Sequence, residues 1–160
     1  MKTKSFYRIG LLLLLPLVTG ANAGSTFAND MLAAHNLYRS NVGTPPLAWS
    51  DDLATRAQRW AETLIARGTY AHQPRGEFGE NLFEISGANA KPFTVVSAWA
   101  SEAANYNHEA NSCTARCGHY TQIIWRSTRR VGCGVARNAQ REVWVCDYEP
   151  HGNIIGERPY

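Results

Sequence analysis

The sequence predicts an α+β fold in which a small antiparallel sheet lies between layers of helix. Patterns of helical period occupy the first two thirds of the chain, whereas the strand patterns come late and flank a short polar turn. Helices that precede a late hairpin are typical of the α+β class. The chain contains no internal repeat, low-complexity tract or linker, so residues 24–160 are expected to form one domain.

The first helix is predicted in "TFANDMLAAHNLYRSNVG", where apolar residues recur at helical spacing up to Gly43. The prolines of the following "TPPLAW" disfavour helix, so this segment is expected to be extended. A second helix is predicted in "SDDLATRAQRWAETLIARG". Ser50 can cap its N-terminus, and Gly68 suits its end.

A third helix is predicted from about Pro92 through Tyr106, with Pro92 in the first turn, where proline is tolerated. A short helix over "HYTQIIWR" follows it. The segments "RVGCGVA" and "EVWVCDYE" are predicted to be two strands joined through "RNAQR", because apolar and β-branched residues flank that polar turn. A tail rich in Pro and Gly completes the chain.

Residues 1–23 have the pattern of a signal peptide, with three basic residues, the apolar run "IGLLLLLPLVT" and the small residues "ANA" before Gly24. A retained anchor is the alternative, but the run is well short of the ~20 apolar residues that a spanning helix needs. Because three of the 16 Lys and Arg lie in this segment, the remaining 13 balance the 13 Asp and Glu. This balance does not support general nucleic-acid binding.

The four cysteines all lie in the last third of the chain, and an even number in an exported protein favours disulfides. A hairpin turn centred on Ala139 and Gln140 would place Cys133 opposite Cys146. The sequence therefore predicts the bridges Cys133–Cys146 and Cys113–Cys117. Zinc ligation by these residues is the weaker alternative, because no second pair has matching spacing.

Four motifs give the chain a resemblance to a known family. The segment "GHYTQIIWRST" is similar to the first signature of the CAP superfamily, which includes cysteine-rich secretory proteins, insect venom antigens and plant pathogenesis-related proteins. "VWVCDYEPHGNI" resembles the second signature, "AHNLYR" the motif of the N-terminal helix, and "GENLF" the fourth motif. They occur in the family's order and cover roughly residues 27–160. The resemblance implies a three-layer α-β-α sandwich, the CAP or SCP fold.

The tail "GNIIGERPY" resembles the plant pathogenesis-related class in particular. That class usually carries six cysteines, and this chain lacks one in the loop before "GENLF" and one at Asn138. The two absences together resemble one lost bridge. Asp147 also departs from the Asn that is common at its position in the second signature.

Within the AHNLYR motif, His35 is expected on the inner face of the helix as a hydrogen-bonded core residue. Asn36 and Arg39 are expected to orient backbone groups and a neighbouring carboxylate.

The resemblance implies a central cleft lined by two histidines and two glutamates, which fall here on His72, Glu80, Glu102 and His119. An imidazole beside a carboxylate is expected to have a raised pKa. Two imidazoles also suit zinc or another divalent metal, with water or carboxylate completing its coordination. The alternative is a hydrogen-bonded network that holds the layers together. No cofactor is required by the sequence.

For function, the resemblance implies binding of a small apolar ligand such as a sterol or a fatty acid. The signal-peptide pattern indicates a secreted or periplasmic protein, which is expected to be a monomer. The ligand groove is expected near Pro92, Phe93 and the loop closed by Cys113–Cys117.

Two other functions are considered. The first is a protease-like hydrolase that uses the cleft His and Glu, for which Ser101 and Thr121 are the nearest hydroxyl groups. No G-x-S-x-G motif supports it. The second is a precursor of a signalling peptide, residues 150–160, which resembles the segment that plant relatives release. For this segment, a tail packed on the domain is the simpler expectation.

Overall fold

The computed structural model describes residues 26–74 and 76–160, so the predicted signal peptide lies outside the described residues. The helices are α1 (Thr26–Asn41), α2 (Asp51–Arg67), α3 (Pro92–Ala100) and α4 (Gly118–Ile123), with a 3₁₀ segment at Ser101–Asn105. The strands are β1 (Ala48–Trp49), β2 (Gly79–Ser86), β3 (Tyr106–Asn107), β4 (Ser112–Cys113), β5 (Arg130–Arg137) and β6 (Arg141–Glu149). Among the described helices, none is long and apolar enough to cross a membrane.

The main sheet has the strand order β1-β5-β6-β2. Strands β5 and β6 form the predicted hairpin, and their register places Cys133 opposite Cys146. Strand β2 pairs antiparallel with the other edge of β6. The short β1 differs from the expected antiparallel pattern because it runs parallel to β5, where the Ser50 N–H donates to the Val131 carbonyl at 2.9 Å.

The sheet separates two hydrophobic cores, which confirms the predicted layers. Along β6, Val143 and Val145 pack with residues of α2 on one face. Trp144, Cys146 and Tyr148 alternate with them and join α1, α3 and α4 on the other face. This alternation follows from the two-residue period of a strand whose two faces are both buried.

Helix α2 has the predicted capping residues. The Ser50 hydroxyl accepts a hydrogen bond from the Leu53 N–H at 3.4 Å, and Gly68 ends the helix at φ 64°. Glycine adopts this left-handed conformation with little strain. Asp51 and Asp52 lie in the first turn, where carboxylates interact favourably with the helix dipole.

Helix α3 is shorter than predicted, because the chain changes to a 3₁₀ helix at Ser101. Tyr106 then pairs with Cys113 in the small sheet of β3 and β4, so it cannot continue the helix. The 3₁₀ segment carries Glu102, one of the four predicted cleft residues.

Both predicted disulfides are present. Cys133–Cys146 crosses the hairpin within the core, whereas Cys113–Cys117 closes a small loop and leaves Cys113 exposed. The Arg141 guanidinium donates to the carbonyls of Leu64 and Thr69, at 2.9 and 3.1 Å. It therefore links the end of α2 to the start of β6.

Arg39 is fully buried and organises the segments around the end of α1. Its guanidinium donates to the carbonyls of Pro45, Ile123, Trp125 and Thr128 at 2.6–3.1 Å. The expectation of a neighbouring carboxylate is therefore wrong for Arg39, because its acceptors are carbonyl groups left free where helix and loop end. Asn36 does bind backbone, since its side chain pairs with the N–H and the carbonyl of Leu47.

Gly134 is predicted to be essential to the contact between α2 and β5. A Cβ at this position would overlap the backbone of Gln58, and one at Gly132 would overlap the backbone of Ala54. Because helix backbone cannot rotate away, Gly134→Ala should lower the free energy of unfolding by about 1–3 kcal/mol. Urea denaturation measures this loss. Gly118→Ala is the control, since its Cβ would meet Asn153 Nδ2 at an ordinary 3.7 Å. An equal loss in both variants would contradict the prediction.

Candidate functional site

A cleft of about 510 Å³ opens beside β2 and α4. Its walls include His72, Glu80 and His119, so the structure brings three of the four predicted residues to one cavity. Glu102 lies behind His119 and contacts it. Sequence reasoning missed the other side chains on the wall, which are Tyr70, Ala71, Asn81, Leu82, Arg116 and Asn153.

His72 and Glu80 form the first pair of the cleft. The His72 Nδ1 lies 2.6 Å from Glu80 Oε1, and this hydrogen bond raises the pKa of His72, as expected for an imidazole beside a carboxylate. Gln73 donates to the same carboxylate from its backbone N–H at 3.1 Å and from Nε2 at 2.7 Å. Glu80 is thus held by three donors, while the His72 side chain remains 63% exposed.

His119 and Glu102 form the second pair. The His119 Nδ1 lies 2.8 Å from Glu102 Oε1, and the His119 N–H donates to Oε2 at 2.9 Å. One carboxylate on the 3₁₀ segment therefore fixes both the ring and the backbone at the start of α4. Asn81 on β2 donates to the His119 carbonyl at 3.1 Å, which joins the pair to the sheet.

The two pairs leave the same atom of each imidazole available. Both Nδ1 atoms contact a carboxylate, and neither Nε2 has a hydrogen-bond partner among residues 26–74 and 76–160. A neutral imidazole that donates from Nδ1 keeps its lone pair on Nε2, which is the usual arrangement of a metal-binding histidine with a supporting carboxylate. Each imidazole therefore has, by itself, the donor arrangement of a metal-binding histidine.

A second group of potential metal ligands lies in the core and does not fit a metal. In the described part of the chain, His35, Cys133 and Cys146 have ligand atoms within 4.8 Å of one another. The two sulfur atoms are joined in a disulfide, so neither is a thiolate. His35 hydrogen-bonds to the Met31 carbonyl and the Tyr148 hydroxyl, and burial lowers its pKa to about 4. His35 is therefore a neutral core residue, as the sequence predicts.

Neither candidate nucleophile contacts a cleft imidazole. The Ser101 hydroxyl donates to the Ala98 carbonyl at 2.7 Å, and Thr121 contacts the Asn153 side chain at 2.6 Å. A nucleophile needs a base within hydrogen-bonding distance. Neither hydroxyl therefore forms a nucleophile–base pair with His72 or His119.

Pro92 and Phe93 line a separate apolar groove of about 720 Å³. The opposite wall is α1, from which Leu37, Ala33, Ala34 and Asp30 contribute, and Lys91 lies at the start of α3. The residues that line this groove do not include the Cys113–Cys117 loop, whose Arg116 lines the cleft instead.

Hydrogen bonds and a ring contact hold the C-terminal segment, residues 150–160, to the domain along its length. Asn153 donates to the Gly118 carbonyl at 2.9 Å, Arg158 donates to the Glu109 carbonyl at 2.9 Å, and the Tyr160 ring stacks on His108. The Thr128 hydroxyl donates to the Pro150 carbonyl at 2.9 Å. Residues 150–160 are therefore an integral part of the folded domain.

A buried carboxylate beside the cleft was missed as a site residue. Asp147 is inaccessible to solvent and lines a small cavity of about 200 Å³ that also includes His72 and Glu80. Burial raises the pKa of Asp147 to about 6, and the nearby Glu80 adds to this rise, while Gln73 and Arg56 oppose it. Arg56 Nε lies 2.9 Å from Oδ2 but lacks hydrogen-bond geometry. In the sequence, the replacement of the common Asn by Asp147 is the one feature that could have identified this residue.

Comparisons with known proteins agree with this architecture. The model of the cysteine-rich secretory protein (CAP) family matches residues 32–148. Pathogenesis-related protein 1A of Nicotiana tabacum is 40% identical over 159 residues, covering 98% of this chain and 94% of its own length. Pathogenesis-related protein 1 of Arabidopsis thaliana is 38% identical over 165 residues, which cover both chains completely. The chain therefore belongs to the CAP family.

Solved structures confirm the fold. The venom allergen-like protein 4 of Schistosoma mansoni has a TM-score of 0.69 at 28% identity, covering 85% of this chain and 94% of its own. The crystal structure of NaASP2 with Zn²⁺ has a TM-score of 0.69 at 24% identity and covers 87% of each chain. The α-β-α sandwich predicted from the sequence is thus the fold of these proteins.

Replacing Asp147 with Asn is predicted to stabilise the protein at neutral pH. The folded pKa of Asp147 is raised above its unfolded value of 3.8, so the stability gained from its protonated form is lost as the pH rises through about 6. Asp147→Asn keeps an uncharged side chain at every pH. Its free energy of unfolding should exceed that of the native protein by about 2 kcal/mol at pH 7.5.

The difference should vanish near pH 4, and urea denaturation at both pH values measures it. Asp52→Asn, at an exposed position on α2, is the control and should give no gain at pH 7.5. A loss of stability in Asp147→Asn at pH 7.5 would show that the contact with Arg56 outweighs the cost of burying the charge.

Proposed function

We propose that the protein binds a fatty acid in the groove between α1 and α3. The observation that carries this proposal is a pair of large apolar side chains, Leu37 on α1 and Phe93 on α3, which are 47% and 55% exposed within one groove. An exposed apolar concavity of this kind is typical of a ligand site. Covering each side chain would contribute about 1.5–3 kcal/mol at most.

The groove also has a charge that suits a carboxylate head group. Lys91 is the only lysine after residue 23, and it lies at the groove beside Pro92. Asp30 lines the groove too, so the head group is expected to pair with Lys91 while the acyl chain covers Leu37 and Phe93. A sterol would use the same apolar wall without needing Lys91.

The cleft supports a second candidate function, the reversible binding of a divalent metal. The two free Nε2 atoms, each on a ring oriented by a carboxylate, are the observation that favours it. His72 and His119 would hold the ion, and water would complete its coordination. A metal there would act as a Lewis acid. Hydrolysis remains a prediction without a nucleophile–base pair to support it.

Export through the signal peptide also belongs to this proposal. The pattern of residues 1–23 supports it, as do two disulfides, which persist in an oxidising compartment. A durable monomeric binder with a packed C-terminal tail fits that setting. Release of residues 150–160 as a peptide remains a prediction that the contacts of the tail do not favour.

Fatty-acid binding is predicted to depend on Phe93 and Lys91. Displacement of a fluorescent fatty acid should give saturable binding that Phe93→Asp weakens at least tenfold, because a carboxylate would then line the apolar wall. Lys91→Gln should weaken the binding of a fatty acid and leave the binding of a sterol unchanged. Ile155→Asp, which places the same charge at a fully exposed apolar residue outside the groove, is the matched control.

His119→Ala should also bind fatty acid normally, since the cleft is separate from the groove. If neither a fatty acid nor a sterol shows saturable binding, the proposal fails. Loss of fatty-acid binding in His119→Ala alone would place the binding site in the cleft.

Zinc is predicted to stabilise the protein against heat through His72 and His119. Removing both imidazoles with His72→Ala and His119→Ala should abolish the zinc-induced rise in melting temperature and leave the circular dichroism spectrum nearly unchanged. His108→Ala with His151→Ala is the control, because both residues lie outside the cleft wall. A shift retained in the first double variant would place the metal elsewhere, and unfolding of that variant would favour a purely structural network.

A further inference from the structure

The cleft contains a permanent positive charge that the proposed functions do not use. Arg116 lines the cavity with His72 and His119. Within residues 26–74 and 76–160, its guanidinium makes no hydrogen bond or ion pair. By contrast, Arg39, Arg56, Arg130, Arg137 and Arg141 all contact carbonyl or carboxylate oxygens. Arg116 is thus an unpaired cation on a concave wall, where charge has a stronger effect than on a convex surface.

The backbone around Arg116 is held in place from two sides. The disulfide Cys113–Cys117 closes the loop that contains it, and the Asn105 side chain donates to the Arg116 carbonyl at 2.8 Å. Asn105 is fixed in turn by the Thr114 N–H, which donates to its carbonyl at 2.9 Å. The guanidinium is therefore carried to the cleft on an ordered loop.

Tyr70 provides a second donor on the same wall. Burial raises the pKa of Tyr70 to about 12, so its hydroxyl keeps its proton at neutral pH. Tyr70 and Arg116 line the same cavity of about 510 Å³, so the phenol and the guanidinium can both contact one ligand bound there.

Glu80, the carboxylate on the cleft wall, already has hydrogen-bond partners. Glu80 accepts hydrogen bonds from Gln73 and contacts the His72 ring, and its side chain is only 9% exposed. It is therefore a poor partner for Arg116, and these donors partly offset its charge. The remaining polar groups of the wall, Asn81 and Asn153, are uncharged.

We propose that the cleft binds a phosphate monoester, with the phosphate paired to Arg116 and hydrogen-bonded by Tyr70. A guanidinium presents parallel N–H groups that match two oxygens of a phosphate, and a third oxygen can accept from the phenol. The volume of about 510 Å³ exceeds what a phosphate fills, which leaves room for the esterified group. This site is separate from the groove between α1 and α3, and it does not require a metal.

The phosphate can belong to a soluble ester or to a lipid head group. The surface next to the cleft bears on this choice, because Asn153 on its wall is followed by Ile154 and by Ile155, which is fully exposed. Two isoleucines beside a phosphate site could enter a lipid layer. The two sources share the contact with Arg116, and separate measurements distinguish them.

Calorimetric titration tests the site on protein treated with a chelator and held at one pH and ionic strength. Glycerol phosphate and inorganic phosphate should both bind saturably. Arg116→Gln should weaken each at least tenfold, whereas Arg116→Lys should retain part of the affinity because it keeps the charge. Arg126→Gln is the matched control, since Arg126 is exposed and lies outside the cleft wall. Melting temperatures establish that every variant is folded.

Cosedimentation with phosphatidic acid vesicles, and with phosphatidylcholine vesicles as the neutral control, identifies the source. Binding to phosphatidic acid that is lost in both Arg116→Gln and Ile155→Ser assigns a lipid head group. Binding of glycerol phosphate without vesicle binding assigns a soluble ester. The proposal is overturned if no phosphate compound binds saturably, if Arg116→Gln binds like the native protein, or if Arg126→Gln loses as much affinity.

Discussion

The buried guanidinium of Arg39 is the interaction on which the rest of the structure depends. It donates to the Pro45 carbonyl in the loop after α1 and to three carbonyls in residues 123–128, between the end of α4 and β5, so a single side chain connects α1 to a segment more than 80 residues away. Burial lowers the pKa of Arg39 to about 10, which leaves it charged at neutral pH. A buried cation without a carboxylate is stabilised here by many charge-assisted hydrogen bonds.

The position of the cleft follows from this arrangement. Arg39 fixes the end of α4, and Glu102 fixes its beginning through the ring and the backbone of His119. Asn81 then connects α4 to β2, the strand that carries Glu80. Each imidazole of the cleft is therefore held by a carboxylate that is itself anchored to a regular element. These contacts orient both rings, although His72 is largely exposed and His119 is only partly so.

Much of the architecture was predictable because local rules and tertiary packing agree. Ser50 and Gly68 bound α2 in the structure as their capping preferences predict. The hairpin register paired Cys133 with Cys146, and the remaining pair followed. The end of α3 and the direction of β1 were not predictable, because contacts with distant segments decide both. For the cleft, motif resemblance supplied the four His and Glu positions. The positions of Arg116, Tyr70 and Asp147 at the cavities depend on tertiary packing, which no local pattern encodes.

Helix α3 begins beside the apolar groove and continues without interruption into the segment that carries Glu102. At 1.5 Å per residue, its nine residues span about 14 Å. Any ligand whose binding shifts this helix along its axis must also move the carboxylate that orients His119. Thermodynamic linkage then requires the reverse: occupancy of the cleft would change affinity in the groove by the same factor. Helix α3 alone thus connects the apolar groove to the cleft, and it is a candidate route for reciprocal coupling between ligands bound in the two cavities.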